Sequence, residues 1–154
     1  MSTSPTFREP DAGDPGLIAP IAKTVVIGIS VQQKTVLTVT VDITLDDVGG
    51  PSAGLMFALG IVDKLGAESL TGGKRIAGTG EISDEGKVGA IGGIAQKMRG
   101  AKARGDNIFL VPSDNCSEAK DNKPSGIQLV RVSTLKGALD ALKALRTGGT
   151  PASC

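Results

Sequence analysis

The sequence predicts an α+β domain, with an α/β arrangement as the alternative. Apolar residues recur with the helical period over 51–65 and over 93–104, whereas residues 35–45 alternate between apolar and polar positions, as in a half-buried strand. In the second half of the chain, short segments rich in Val, Ile and Leu alternate with helical ones. Strands and about four helices are therefore expected to share one core.

The first elements are a predicted hairpin and a predicted helix. Thr24–Ser30 and Thr35–Leu45 are rich in Val, Ile and Thr, and a short turn would pair them. The segment Asp46–Gly50 ends the strand pattern. Pro51 follows. Proline lacks a backbone N–H, and the first position of a helix tolerates this, so Pro51 predicts the start of a helix that extends to about Leu65.

The remaining elements alternate between strands and helices. Asp84-Glu85-Gly86 predicts the turn of a hairpin, and Gly105 predicts the end of a helix. In chain order, the predicted elements are a strand over Arg75–Ser83, a strand over Lys87–Ile91, a helix over Gly93–Arg104, a strand over Asn107–Val111, a short helix after Ser113, a strand over Ile127–Val132 and a helix over Thr134–Arg146.

The composition is that of one globular domain with an aliphatic core. The chain has 154 residues, the size of a single domain, and contains three Phe but no Trp or Tyr. Its 22 glycines concentrate in loops rather than in a repeat. We expect a flexible tail over residues 1–22, one folded domain over 23–147 and a disordered tail over 148–154.

Charge and hydropathy argue against several classes of function. The chain carries 17 basic and 16 acidic residues without a long run of either sign, and aromatic residues for stacking are scarce, so nucleic-acid binding is not expected. No apolar run approaches about 20 residues, and the start of the chain lacks the apolar core of a signal peptide. We therefore expect a soluble chain, either cytoplasmic or excised from a longer anchored protein.

The two cysteines, Cys116 and Cys154, give little guidance. Their wide spacing indicates a disulfide only weakly and does not indicate a zinc site. Neither a redox compartment nor a metal follows from them, and no cofactor is expected.

The chain contains no histidine, which excludes the usual partner of a catalytic serine and leaves lysine as the best base. Ser52 lies in the first turn of a predicted helix, where free backbone N–H groups and the helix dipole would stabilise an oxyanion. The candidate donors are the N–H groups of Gly50, Ser52 and Ala53. The alternative is that Ser52 only caps the helix, which is a common use of serine at this position.

Two lysines on the second predicted helix are candidates for the base. Lys97 borders the apolar stripe of Ile94, Met98 and Ala101, and Lys102 borders the other edge of the same stripe. To accept a proton near neutral pH, the amine has to lie in a dry, aliphatic environment that disfavours its charged form. The helical period does not choose between the two lysines, and either can equally be a solvated surface residue.

Several separated motifs resemble the proteolytic domain of Lon proteases. They are Gly50-Pro51-Ser52-Ala53-Gly54, Thr79-Gly80-Glu81, and Ile91-Gly92-Gly93 followed by Lys97. The resemblance extends from about Val25 to Arg146 and is greatest to the Lon-like, PDZ-containing serine proteases of bacteria, whose segments are similar to Val48–Met56 and Val111–Cys116 here. It implies a single Lon-type domain of small mixed β-sheets packed with about four helices.

The resemblance also implies roles for individual residues. Ser52 falls at the position of the nucleophile, and Lys97, rather than Lys102, falls at that of the general base. Thr79 matches a threonine whose hydroxyl steadies the lysine, and Glu81 belongs to the same strand motif without an assigned role.

The chain departs from the family pattern in two places. Many Lon domains carry an acidic residue three positions before the serine, where this chain has Gly49. Lon couples proteolysis to an ATPase, yet Gly72-Gly73-Lys74-Arg75 lacks the spacing and the hydroxyl of a nucleotide-binding loop. ATP hydrolysis by this chain is therefore not expected, and the PDZ domain and membrane segment of the similar proteins would belong to an anchored parent protein.

Together, these observations predict an ATP-independent serine endopeptidase that cleaves peptides or unfolded proteins through an acyl-enzyme intermediate. Since Lon domains commonly form rings, further copies of the chain are expected partners. One alternative is an interaction module that keeps the Lon shape without catalysis. The other is a small-molecule kinase or phosphate-binding domain, because a glycine-rich loop at a helix start also suits a phosphate.

Overall fold

Helices and strands alternate along residues 50–154, the part of the chain that the computed structural model describes. The helices are α1 (Gly54–Leu65), α2 (Ile94–Ala103), α3 (Cys116–Asp121) and α4 (Leu135–Arg146), and the strands are β1 (Ile76–Gly78), β2 (Glu81–Ile82), β3 (Val88–Gly89), β4 (Ile108–Pro112) and β5 (Gln128–Val132). Two 3₁₀ turns, Pro51–Ala53 and Ser113–Asn115, lead into α1 and α3. The predicted tail over 1–22 and the predicted strands Thr24–Ser30 and Thr35–Leu45 lie outside the described residues. Within the described range, no helix has the length and apolar character needed to cross a membrane.

The strands form two small sheets. β1, β4 and β5 are parallel, in the order β1-β4-β5, with Ile76 opposite Ile108 and Ile108 opposite Gln128. β2 and β3 form an antiparallel pair. In the turn that joins these two strands, the Ser83 hydroxyl donates to the Glu85 carboxylate at 2.8 Å, and this hydrogen bond lowers the pKa of the Glu85 carboxyl. One parallel and one antiparallel sheet, packed with the helices α1 to α4, confirm the α+β class that the sequence predicts.

Strand β4 is buried along its whole length, and its alternating side chains divide the core in two. Ile108 and Leu110 pack with apolar residues of α1 and α4, whereas Phe109 and Val111 pack with residues of α2 and α3. This division follows from the period of two in a strand, which sends successive side chains to opposite faces. Helices α1 and α2 therefore cover opposite faces of the parallel sheet, and both parts of the core are dominated by aliphatic side chains, as predicted.

The prediction of one continuous strand over Arg75–Ser83 is wrong, because Thr79 and Gly80 divide this segment between the two sheets. The N–H of Thr79 still bonds a carbonyl of β4 at 3.3 Å, but the N–H of Gly80 bonds the carbonyl of Ser52 at 2.8 Å. The chain thus turns from β4 to the start of α1 before it enters β2. A side chain at Gly80 would place its Cβ 2.8 Å from Val88 Cγ1, so this close approach requires glycine.

Thr134 caps α4 at the position where the sequence predicts the start of a helix. Its hydroxyl accepts a hydrogen bond from the N–H of Gly137 at 2.9 Å, which satisfies one of the amides that the first turn leaves free. We therefore expect Thr134→Ala to lower the free energy of unfolding by about 1 kcal/mol, as measured by chemical denaturation. Thr147→Ala is the matched control, because the exposed Thr147 hydroxyl bonds carbonyls at the other end of α4. Equal losses in the two variants would contradict the capping role.

The last residues of the chain lie along β5 and are attached at two points. The N–H of Arg131 donates to the carbonyl of Ala152 at 2.9 Å, and Cys154 forms a disulfide with Cys116 at the start of α3. The sequence, by contrast, predicts a disordered tail over 148–154 and indicates this disulfide only weakly. Both contacts join residues that are distant along the chain, so no local pattern reveals them.

Candidate active site

Ser52 and Lys97 lie 45 positions apart in sequence and contact each other in the structure. Ser52 belongs to the 3₁₀ turn that leads into α1, and Lys97 lies in the first turns of α2. The Lys97 Nζ donates a hydrogen bond to the Ser52 Oγ at 3.2 Å. At this distance, a neutral amine could instead accept the hydroxyl proton without any change in position.

The contact forms where strand β1 ends. Because α1 and α2 cover opposite faces of the parallel sheet, the sheet separates them, and their side chains can meet only past the edge of the sheet. The start of α1 is held there by a pair of backbone hydrogen bonds, from the Gly80 N–H to the Ser52 carbonyl and from the Leu55 N–H to the Gly80 carbonyl at 3.0 Å. The turn after β1 therefore fixes the position of the serine.

Thr79 supports the serine in this arrangement. Its hydroxyl donates to the Ser52 carbonyl at 2.9 Å, and the residue is only 2% exposed. The resemblance to Lon domains assigns this hydroxyl to the lysine, whereas its hydrogen bond in the structure goes to the serine backbone. Thr79 thus holds the backbone of Ser52. Glu81, on the neighbouring strand β2, is exposed.

The turn that carries Ser52 has the backbone of a helix start. Gly50 precedes it with φ of 95°, a left-handed value that favours glycine, and Pro51 occupies the first position, as predicted. The first amides of a helix have no partners within the helix, and the N–H groups of Ser52 and Ala53 belong to this turn. An anion next to Ser52 would lie at the positive end of the α1 dipole.

The two lysines of α2 have different surroundings. Lys97 contacts Ser52, whereas the Lys102 Nζ lies 3.0 Å from the point that a Cβ on Gly126 would occupy, in the loop before β5. The structure therefore brings Lys97, and not Lys102, to the serine. Lys97 is nevertheless exposed, so the described residues do not supply the dry surroundings that a lysine base requires.

A cavity lies beside Lys97. It has a volume of about 340 Å³, and its apolar lining includes Met56, Ala77 and Phe109, with Arg104 also on its wall. The cavity is large enough to receive a side chain of a bound peptide next to the contact between the two polar groups. Within residues 50–154, no cluster of three or more Cys, Asp and Glu side chains converges.

One buried residue near the site, Asn115, is not among the predicted site residues. Asn115 is 6% exposed, and its amide bonds both backbone groups of Ile91, three residues before α2 begins. The signal in the sequence was the position of Asn115. This polar residue comes shortly after the buried strand predicted over Asn107–Val111, from which only Pro-Ser-Asp separates it. Asparagine is also common in turns, so its type alone did not distinguish it.

Ser52 and Lys97 both lie in a segment that matches a known protein family. The family model of the Lon protease (S16) C-terminal proteolytic domain matches residues 22–144. The chain is 34% identical over 95 residues to Lon protease 2 of Bacillus subtilis (strain 168), a match covering 62% of this chain and 17% of that protein. It is 37% identical over 93 residues to the Lon protease of Azospirillum brasilense, covering 58% of this chain and 11% of that protein.

A shorter match has higher identity. The chain is 44% identical over 66 residues to the Lon protease of Mesomycoplasma hyopneumoniae (strain 232), covering 43% of this chain and 7% of that protein. The chain thus spans less than a fifth of the length of each of these relatives. The extent of the family match, which includes both Ser52 and Lys97, shows that the chain belongs to the family of Lon protease (S16) C-terminal proteolytic domains.

Proposed function

We propose that this domain is a serine endopeptidase in which Ser52 is the nucleophile and Lys97 is the general base. The observation that carries the proposal is the 3.2 Å distance between the Lys97 Nζ and the Ser52 Oγ. Membership of a family of proteolytic domains supports a peptidase in general, and the contact supports this particular pair. The substrates are peptides or unfolded segments of proteins, which can enter an open site in extended form.

Acylation begins when the neutral amine of Lys97 accepts the hydroxyl proton of Ser52. The Ser52 Oγ attacks the carbonyl carbon of the scissile peptide, and the carbonyl oxygen becomes an oxyanion. The amides of the first turn stabilise this charge, because they lie at the positive end of the α1 dipole. The C–N bond then breaks, and the Lys97 ammonium donates its proton to the leaving amine.

Deacylation repeats these steps with water as the nucleophile. The amine of Lys97, neutral again, accepts a proton from water as the water oxygen attacks the ester carbon. The bond between the acyl carbon and the Ser52 Oγ breaks, and the proton returns from Lys97 to the serine oxygen. The products are a carboxylic acid, which releases its proton to solvent, and the starting enzyme, with no net change in the protons of the pair.

The substrate itself contributes to the catalytic environment. Lys97 is exposed in the free domain, so water reaches its amine. A peptide chain bound over Ser52, with a side chain in the cavity lined by Met56 and Phe109, would remove water from the amine. Binding and activation of the base are therefore coupled in this proposal.

Cleavage by this domain is proposed to proceed without ATP. The sequence contains no glycine-rich loop ending in Gly-Lys-Ser or Gly-Lys-Thr, which is the usual cradle for nucleotide phosphates. The acyl-transfer steps themselves need only the serine, the lysine, the first-turn amides and water. The supply of substrate by other domains or further copies of the chain is a separate matter from this chemistry.

Labelling with a fluorophosphonate probe tests the proposal directly. We expect covalent modification of Ser52, identified by mass spectrometry of the peptide that carries it, and cleavage of an unfolded protein such as casein without added nucleotide. Isothermal titration with ATP provides the control for the phosphate-binding alternative, which requires saturable binding. Absence of labelling at Ser52, together with ATP binding, would contradict the proposal and favour that alternative.

The exposure of Lys97 favours a second candidate function, an interaction module that retains the fold without catalysis. If no substrate covers the amine, water keeps access to it and the contact with Ser52 is only a surface hydrogen bond. A concentration series of unfolded substrate distinguishes the two functions. The peptidase releases new peptides in proportion to time, whereas the module binds the same substrate and leaves it intact.

A further inference from the structure

The amide of Asn115 bonds the backbone of Ile91 as a neighbouring strand would. Its Oδ1 accepts the Ile91 N–H at 2.9 Å, and its Nδ2 donates to the Ile91 carbonyl, also at 2.9 Å. Of the common side chains, only an amide combines an acceptor and a donor in this geometry. The orientation of the amide is determined by its partners, because a backbone N–H can only donate and a carbonyl can only accept.

Both partners are shielded from water. Asn115 is 6% exposed and Ile91 is 9% exposed. A buried polar group without a partner is costly, so the two hydrogen bonds hold the Ile91 backbone firmly in one position. The Ile91 side chain packs in the same part of the core as Ile94 and Met98 of α2. The backbone at Ile91 is therefore a fixed point next to the start of α2.

A short, defined path connects this fixed point to the catalytic amine. Gly92 and Gly93 follow Ile91, and Gly93 precedes α2 with φ of 71°, without a side-chain cap. The N–H of Lys97 bonds the Gly93 carbonyl at 3.2 Å, which forms the first turn of the helix. Because only two residues separate Ile91 from α2, a shift of the backbone at Ile91 would thus be transmitted to the turn that holds the lysine.

Asn115 is itself anchored from both sides in sequence. The 3₁₀ turn Ser113–Asn115 directly follows the buried strand β4, and the next residue, Cys116, forms the disulfide with Cys154. Ala119, one turn into α3, is completely buried. The amide therefore projects from a rigid part of the domain, as a positioning group requires.

We propose that Asn115 is a positioning residue that aligns Lys97 with Ser52 through the backbone of Ile91. It does not touch the reacting atoms, and it acts by fixing the turn from which α2 begins. The proposal rests on the peptidase function proposed above. A displacement of about 1 Å at a reacting group can cost on the order of 100-fold in rate, so a small change at Ile91 has a large expected effect.

The test compares Asn115→Asp with Asn122→Asp. The first variant keeps the shape of the side chain but replaces the donor that faces the Ile91 carbonyl with an acceptor. Asn122 is the matched control, because its Nδ2 donates to the carbonyl of Glu118 at 2.9 Å at the exposed end of α3. Both changes add one negative charge and remove one donor to a backbone carbonyl. Fluorophosphonate labelling rates and peptidase kcat and KM are measured at 10 °C, with the folded fraction of each variant determined by circular dichroism.

We expect Asn115→Asp to reduce the labelling rate and kcat about 10-fold to 100-fold, with KM changed by less than about threefold, since binding surfaces are untouched. Asn122→Asp should stay within about twofold of the original chain. A fully folded Asn115→Asp variant with unchanged kcat would overturn the proposal. So would equal losses in both variants, or a loss no larger than the unfolded fraction, because either result would mean a purely structural role.

Amide hydrogen exchange separates this inference from the peptidase function. In Asn115→Asp, we expect exchange in peptides spanning residues 91–97 to accelerate about 10-fold or more relative to peptides of α4, whereas Asn122→Asp should leave both unchanged. If the original chain shows no labelling at Ser52, the peptidase function fails, while this acceleration would still support the alignment of α2 by Asn115. Unchanged exchange in residues 91–97 would overturn the alignment itself.

Discussion

Replacing Ser52 or Lys97 with alanine is expected to reduce peptide cleavage to the background rate. Each change removes one of the two groups between which the proton moves, and loss of a nucleophile or base in serine peptidases lowers kcat by on the order of 10⁴-fold or more. Because the two groups act as a unit, the double variant should be no slower than either single variant. Cleavage of a fluorogenic peptide measures all three rates.

Two further substitutions separate the chemistry from charge and from folding. Lys97→Arg keeps a positive charge near Ser52, but a guanidinium does not deprotonate in proteins, so this variant should be as inactive as Lys97→Ala. Lys102→Ala removes a lysine from the same helix at a distance from Ser52 and should retain activity within about twofold. Substantial turnover by Lys97→Arg would show that the lysine acts through its charge, and turnover by Lys97→Ala would exclude it as the base.

Removing the disulfide between Cys116 and Cys154 is expected to cause the largest loss of stability. The bond closes a loop with a sequence separation of 38, and loop-closure entropy predicts a loss of about 3 to 4 kcal/mol when such a link is absent. The Cys116→Ser/Cys154→Ser variant should therefore unfold at lower urea concentration than the oxidised chain, with an equal or larger slope, because its unfolded state is less compact.

Reduction provides the control for this prediction. A reductant should destabilise the original chain to about the level of the double variant and should leave the double variant unchanged. Free-thiol titration of the unfolded, unreduced protein should give no reactive thiol from these two cysteines. The expectation is contradicted if reductant has no effect on the unfolding of the original chain, since the link would then contribute nothing to the oxidised state.

The starts and ends of helices were predictable because their signals are local. Pro51 and Thr134 mark two helix starts, and Gly105, with φ of 84°, directly follows the cap of α2. Each of these residues acts within about one turn through its backbone or a short side-chain hydrogen bond. Apolar periodicity likewise acts within one element, so the predicted helices match the structure to within a few residues, as do the strands predicted over Lys87–Ile91, Asn107–Val111 and Ile127–Val132.

The division of Arg75–Ser83 into β1 and β2 was not predictable from the same patterns. Its residues are suited to strands throughout, and the break arises because Gly80 bonds the start of α1 instead of a strand. The strand propensity of a residue describes how well its side chain fits on a pleated sheet. It does not say which neighbouring strand or helix the residue will pair with. The partner of Gly80 lies almost thirty positions earlier in the chain.

The sequence by itself determined the class of the fold, the candidate nucleophile and, through the resemblance, the candidate base. Only the tertiary structure decided that the Lys97 amine lies 3.2 Å from the Ser52 hydroxyl, that Thr79 bonds the serine backbone, that Asn115 holds Ile91 and that Cys116 pairs with Cys154. The physical reason is separation along the chain. Local hydrogen bonding and periodicity specify each element, whereas these contacts join residues 24 to 45 positions apart and depend on how helices pack on the two faces of one sheet.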